Sequence, residues 1–363
     1  MMADSAKKIA LTNADSWLGC STACYLAEQL EEKCEGVELV CLARKPERLD
    51  KLKRYKNVRI EKVDYNDEKT LEKALSGVTC TTLIPENDEH RVESAKNTIT
   101  AMKNAEVKSC MMISVEGADG ESSHLKELQS YHEIEEQVEQ CESYLILRKS
   151  ILHQCFLLWS HVVRERSEFP ISTSKQSEMA PLDMYDLVCA VSTIVIEHCH
   201  HEDSFENPPA SQPYQLDQEC DQQIRSWNFG GLGDHKNKTY TLTGPQKVTP
   251  ECIAKDLTEI IGKQIKVKEV ERSELKKYFE SLGELQKPLS QTLNRDRMVG
   301  DGDHDHIPIS EIPIELFLDE LELINKGDAG SVSGDLEKIV GHPGNPVKNF
   351  LCKERDVFKP HRD

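Results

Sequence analysis

Ile9-Ala-Leu-Thr-Asn-Ala-Asp-Ser-Trp-Leu-Gly19 is the stretch that decides the fold of this 363-residue chain. Apolar residues run into a short polar turn. From Trp17 to about residue 32, apolar side chains recur at Leu18, Ala23, Tyr25, Leu26 and Leu30, the spacing of one helix face. A helix that starts directly after a strand turns free N–H groups and its positive dipole end toward an anion. Dinucleotide loops of this kind carry glycine at the turn, at the closest approach to the pyrophosphate, and at the helix–strand contact. Those three points hold Asn13, Ser16 and Gly19. Asn tolerates the left-handed conformation a turn requires. Ser16 places a Cβ where backbone should approach phosphate, although its hydroxyl can donate there. Asp15 sets a carboxylate beside the same anion, at a cost of about 3 kcal/mol for charges ~5 Å apart in an effective dielectric of ~20. Alternatively it caps the helix and fills part of the anion site itself. The contacts expected from the loop are Thr12, Asn13, Ser16, Trp17, Leu18 and Gly19.

Outward from the loop, short apolar runs alternate with helical periodicity. Strands are expected at 7–12, 37–43, 58–63, 80–84, 108–114 and 144–148, and helices at 17–32, 49–55, 68–75, 88–104 and 123–141. Alternation at these lengths implies parallel strands joined by right-handed crossovers. Nearly all-apolar strands imply helices on both faces. The fold class is therefore α/β, a doubly wound parallel sheet of Rossmann type, with ligands at the carboxyl ends of the strands. Those ends add Tyr65, Ile84, Pro85 and Ser114 to the expected cofactor contacts. An acid after the second strand would suit NAD. This chain has Arg44 and Lys45 there, with Arg48 a turn later, and a planar guanidinium suits a 2′-phosphate. NADP is the expected dinucleotide; a solvated run of charges is the plain alternative.

The second half reads differently. Residues 198–238 are rich in His, Gln, Asp, Pro and Gly and read as a polar insertion. A strand at 239–242, a helix at 249–261 capped by Thr249 and stopped by Gly262, a strand at 265–270 and helices at 273–282 and 314–325 follow. Residues 300–306 read as a polar loop. The expected organisation is a dinucleotide-binding domain over 1–155, a smaller α+β substrate or partner lobe over 156–355 that is interleaved with the sheet and holds the insertion, and a frayed charged tail over 356–363.

Bulk properties exclude some functions. The formal charge of −19 opposes nucleic-acid phosphate as a partner. No run approaches the ~20 apolar residues that span a bilayer. The first residues lack the apolar core of a signal peptide, so the cysteines read as free thiols and the location as cytoplasm or nucleus. Cys20 and Cys24 share a helix face, read mainly as small buried residues. His198-Cys-His-His201, the set His153, Cys155 and His161, and the 301–306 loop lack the spacing of a closed metal site. No metal is expected.

Together these landmarks resemble the NmrA-like family of atypical short-chain dehydrogenases, over most of the chain outside 198–238. Residues 12–19 resemble its TGATGxxG loop with the first two glycines replaced. Arg44 is similar to its basic residue after the second strand, and Val63-Asp-Tyr-Asn-Asp67 to its GDxxD turn, which implies Asp64 near adenine. Tyr144-Leu-Ile-Leu-Arg148, Pro181-Leu-Asp-Met-Tyr-Asp186, Tyr240-Thr-Leu-Thr-Gly-Pro245 and the 327–343 region resemble later family segments. The family includes reductases, regulators and redox sensors. Catalysis in this class needs a Tyr with a Lys four residues on, whose charge lowers the Tyr pKa. Tyr131 is well placed, but its i+4 residue is Glu135, a carboxylate that acts in the opposite direction. The family's reductases keep a Lys three residues before a Glu, and His132 stands there. Tyr131 and His132 are thus weak catalytic candidates, with His132 also able to donate to a ribose. The expectation is an NADP-responsive regulator or sensor that binds a protein partner. The rivals are an NADPH-dependent reductase or isomerase and a cofactor-free scaffold.

Overall fold

The computed structural model describes residues 7–119, 124–201, 232, 234–289 and 312–359. The first half builds β1 (Lys7–Leu11), α1 (Trp17–Lys33), β2 (Val37–Ala43), β3 (Val58–Lys62), α2 (Glu68–Ala74), β4 (Val78–Leu83), α3 (Arg91–Asn104), β5 (Ser109–Val115), α4 (Lys126–Val138) and β6 (Ser143–Lys149). Next come α5 (Ser160–Arg166), β7 (Glu168–Ile171), α6 (Met184–His201), β8 (Lys238–Leu242), α7 (Pro250–Ile261), β9 (Lys266–Glu269), α8 (Arg272–Leu289) and α9 (Ile314–Lys326). The main sheet has the order β3-β2-β1-β4-β5-β6-β8, every neighbouring pair parallel. This is the expected doubly wound Rossmann-type sheet, and the chain reverses direction across it between β1 and β4. β7 and β9 pair in a small separate sheet.

The strand sequences explain the two-sided core. Leu39, Cys41, Met111, Ile113, Leu145 and Leu147 join one buried cluster with α1 and α6. The alternating Val40, Leu42, Cys110, Met112 and Ile146 join the other with α2, α3 and α4. Successive side chains on a strand face opposite sides, so strands covered on both sides must be apolar throughout. A third aromatic group anchors the second half. Trp159 is fully buried, with ring centroids of Phe169 at 4.8 Å, Phe279 at 5.2 Å and Phe317 at 5.7 Å.

Several boundaries move for local reasons. The 49–55 segment is a 3-10 helix, Pro46–Arg54, with Leu49 and Leu52 buried. α3 begins at Arg91 rather than residue 88, because Asp88 Oδ1 accepts from His90 N at 2.9 Å and closes a turn ahead of it. Thr249 caps α7 through Cys252 N at 3.2 Å, and Gly262 ends it at φ 76°. The tail does not fray at 356: Arg355–Phe358 forms a helical turn with Phe358 fully buried. The start of the supposed insertion is the end of α6, and Lys238 opens β8. The insertion's middle (202–231 and 233) and the 300–306 loop lie outside the described residues. No described helix is long and apolar enough to cross a membrane.

Candidate functional site

The loop after β1 is clipped across the β1–β4 crevice by its own side chains. Thr12 Oγ1 accepts from Ile84 N at 2.9 Å and donates to Ile84 O at 3.2 Å, while Thr12 N donates to Thr82 O. Asn13 Nδ2 donates to Pro85 O at 3.2 Å. Thr12, Asn13, Ile84 and Pro85 therefore form one wall of the crevice. Asn13 has φ 48°, the left-handed turn predicted for it. Its N–H donates to the Tyr65 hydroxyl at 2.5 Å, and that hydroxyl donates onward to Leu42 O at 3.3 Å. The buried Tyr65 ring thus props the loop from the end of β3, and burial pushes its hydroxyl well above the ordinary tyrosine range.

Ser16, not Asp15, caps α1. Its hydroxyl accepts from Gly19 N at 3.0 Å and donates to Asn13 O at 2.7 Å. The hydroxyl proton is therefore directed into the loop. Gly19 is the surviving glycine, and its reason is steric: a Cβ there would run into Asn13 O and lie 2.9 Å from Ala14 Cα. Trp17 and Leu18 sit half-buried on the first turn of α1.

Asp15 turns away from the helix. Its carboxylate accepts from Lys45 N at 2.9 Å and Arg44 N at 3.3 Å, the two residues that follow β2. The Arg44 guanidinium is gripped by Glu86, with Asp88 at 3.3 Å, and lies 5.5 Å from the Tyr65 ring centroid. Burial raises the Glu86 carboxyl to about 7, with Arg44 opposing and Asp88, Asp15 and Asp64 adding to the rise. Sequence reading missed Glu86 and Asp88; their only signal was the acidic run after Pro85. Asp64 is exposed and accepts from Asn66 N at 3.0 Å in a local turn.

The catalytic neighbourhood is committed elsewhere. Ser114 is fully buried and donates to Glu135 Oε1 at 2.5 Å. Glu135 also pairs with Arg148 at 2.6 Å and 3.0 Å. Tyr131 packs under Arg91, whose guanidinium carbon is 4.8 Å from the ring centroid. His132 Nδ1 donates to Ala118 O at 3.2 Å and Nε2 lies 3.8 Å from Glu136, which ties it to the flank of α4. Lys149, which no motif singled out, is buried and pairs with Glu320 of α9 at 2.9 Å.

A second concavity holds none of the expected cofactor residues. It is a cleft of about 580 Å³ between α1, the start of α6 and residues 342–353. Asp183 knots its floor, accepting from Gln154 at 2.9 Å, Tyr185 N at 3.0 Å and Asn345 Nδ2 at 2.6 Å. Among the described residues no group of three or more His, Cys, Asp or Glu could hold a metal, and the described cysteines are all free thiols.

Residues 21–154 match the NAD(P)H-binding family model, so the chain carries an NAD(P)H-binding domain; the match begins just after Gly19. No curated protein matches the sequence. The fold is close to that of the NADPH-dependent quinone oxidoreductase of Escherichia coli in complex with NADPH, at 21% identity and TM-score 0.66 over 95% of this chain and 99% of the other. It is similarly close to a triphenylmethane reductase from Citrobacter sp., at 19% identity and TM-score 0.67 over 96% and 99%. A nucleoside-diphosphate-sugar epimerase from Staphylococcus aureus matches at 15% identity and TM-score 0.66 over 95% and 99%. These neighbours share the fold described above. Gly19 leaves room for the Asn13 carbonyl, and at the end of β2 the backbone N–H groups of Arg44 and Lys45 are held by Asp15.

Proposed function

We propose that this chain is an NADP-responsive regulatory or sensor protein, which binds the dinucleotide along the β1–β4 crevice and acts through a protein partner. In this reading residues 1–155 form the dinucleotide-binding domain and 156–355 the partner-facing lobe of a cytoplasmic or nuclear protein. Thr12 to Gly19 would face the pyrophosphate, with Arg44, Tyr65, Ile84 and Pro85 on the adenosine side. The dinucleotide, when bound, is a hydride carrier. The observation that carries the reading is Glu135. A tyrosine acid of this class needs a cation at i+4, and here the position holds a buried carboxylate fixed by Arg148 and Ser114. The chain therefore keeps a place for the cofactor without the pair that would pass a proton.

A reductase of the neighbours' kind is the second reading. The Arg91 guanidinium over Tyr131 favours it, because that cation could replace the missing lysine. One experiment separates the two. The full chain is titrated with NADPH while Trp17 fluorescence is followed, and the saturated protein is then mixed with quinones and carbonyls at 340 nm. Binding without NADPH consumption supports the regulator. Consumption that disappears in Tyr131→Phe supports the reductase, and no binding at millimolar NADPH overturns both.

A further inference from the structure

We infer that Asp15 is an internal anion seated at the adenosine end of the crevice, and that it sets how this chain discriminates a 2′-phosphorylated ribose from a plain one. The inference rests on the reading that a dinucleotide occupies the β1–β4 crevice.

A dianionic 2′-phosphate at the end of β2 has three kinds of donor to use: the backbone N–H groups that follow the strand, the Arg44 fork and the exposed Lys45 ammonium. Carboxylates of this chain already hold the first two, with the buried Arg44 Nε left without a hydrogen bond. Asp15, only 8% exposed, takes the N–H groups of Arg44 and Lys45. Glu86 and Asp88 take the guanidinium. The fork is also held against the Tyr65 ring. A 2′-phosphate must therefore displace Asp15 from two N–H groups or sit beside its charge, and either weakens binding. A 2′-hydroxyl meets no such opposition, because a carboxylate accepts from it. Arg44, read alone, promises a strong preference for the phosphorylated dinucleotide; Asp15 narrows that preference. The placement also explains why an acid is tolerated in the loop. It does not compete for the start of α1, where Ser16 is the cap.

The test uses two small probes that differ by the 2′-phosphate alone, adenosine 2′,5′-bisphosphate and adenosine 5′-monophosphate. Their dissociation constants are measured by calorimetry on the full-length wild type, Asp15→Asn and Asp15→Ser. Asn keeps an acceptor for the N–H groups and removes the charge; Ser guards against a folding defect in either variant, checked by melting. The expected result is that both variants tighten the bisphosphate by about tenfold or more, while the monophosphate moves far less. Equal changes for the two probes, no change, or a weakened bisphosphate overturn the inference. A wild type silent to NADPH, beside variants that gain the bisphosphate preference, refutes the proposed NADP response and upholds the role of Asp15.

Discussion

Asn13, Ser16 and Gly19 stand at three points where a dinucleotide loop carries glycine, and each meets a different physical demand. Asn13 supplies the left-handed turn, Ser16 closes the helix start on itself, and Gly19 leaves room for the Asn13 carbonyl. The first and third were legible from residue type alone, because backbone conformation and missing side-chain volume are local properties. The target of Asp15 was not, since it depends on which strand end the loop faces. Gly19→Ala is expected to destabilise the protein by about 1–3 kcal/mol, as forced overpacking against backbone does. Urea unfolding measures this, and a loss inside experimental error would show that the loop yields freely. Asn13→Gly, by contrast, is expected to leave the fold intact, because glycine adopts the same φ without strain. A melting temperature several degrees lower would show that the Asn13 side-chain bond to Pro85 O, rather than the turn, governs the position.

Between elements, the seam of α9 with the ends of β5 and β6 carries the buried charge. Gly117 (φ 88°) leaves space for Leu323, Lys149 pairs with Glu320, and Glu116 accepts from Gly330 N at 3.1 Å. Glu320→Ala strands a buried ammonium and is expected to cost about 3–5 kcal/mol, whereas Lys149→Met combined with Glu320→Leu recovers most of it. Chemical denaturation of the three variants checks this; a double variant as weak as the single one contradicts it. Glu116 adds a pH dependence. Burial raises its carboxyl from 4.5 to about 7, partly offset by the Gly330 N–H. The folded state therefore holds a proton that the unfolded chain releases. That contribution is complete below about 4.5 and is lost as the pH rises through about 7. Glu116→Gln, which still accepts from Gly330, is expected to lose less stability than the wild type between those limits; parallel melting curves would contradict the assignment. None of this was visible in sequence, because it joins residues about 200 positions apart. β7 and α6 escaped for other reasons. β7 has four residues and contains Pro170, and α6 is apolar on nearly every face, so neither shows a clean period.

Across the whole molecule, alternation of short apolar runs with helices was enough to foretell a parallel, doubly wound sheet. Short connections leave few ways to lay such units down. The second half was expected to interleave with the sheet, but not the place of β8 at its edge or the packing of the last helices, since both depend on long-range contacts made late in the chain. The architecture of an NAD(P)H-binding domain is intact, while Asp15 holds the N–H groups after β2 and Glu135 is paired with Arg148. In the proposed reading the crevice still takes the dinucleotide against the opposition of Asp15. Calorimetric titration of the full chain with NADPH, wild type beside Asp15→Asn, measures this most directly. Saturable one-site binding that tightens in the variant is expected; no heat of binding from either protein at millimolar NADPH would contradict it.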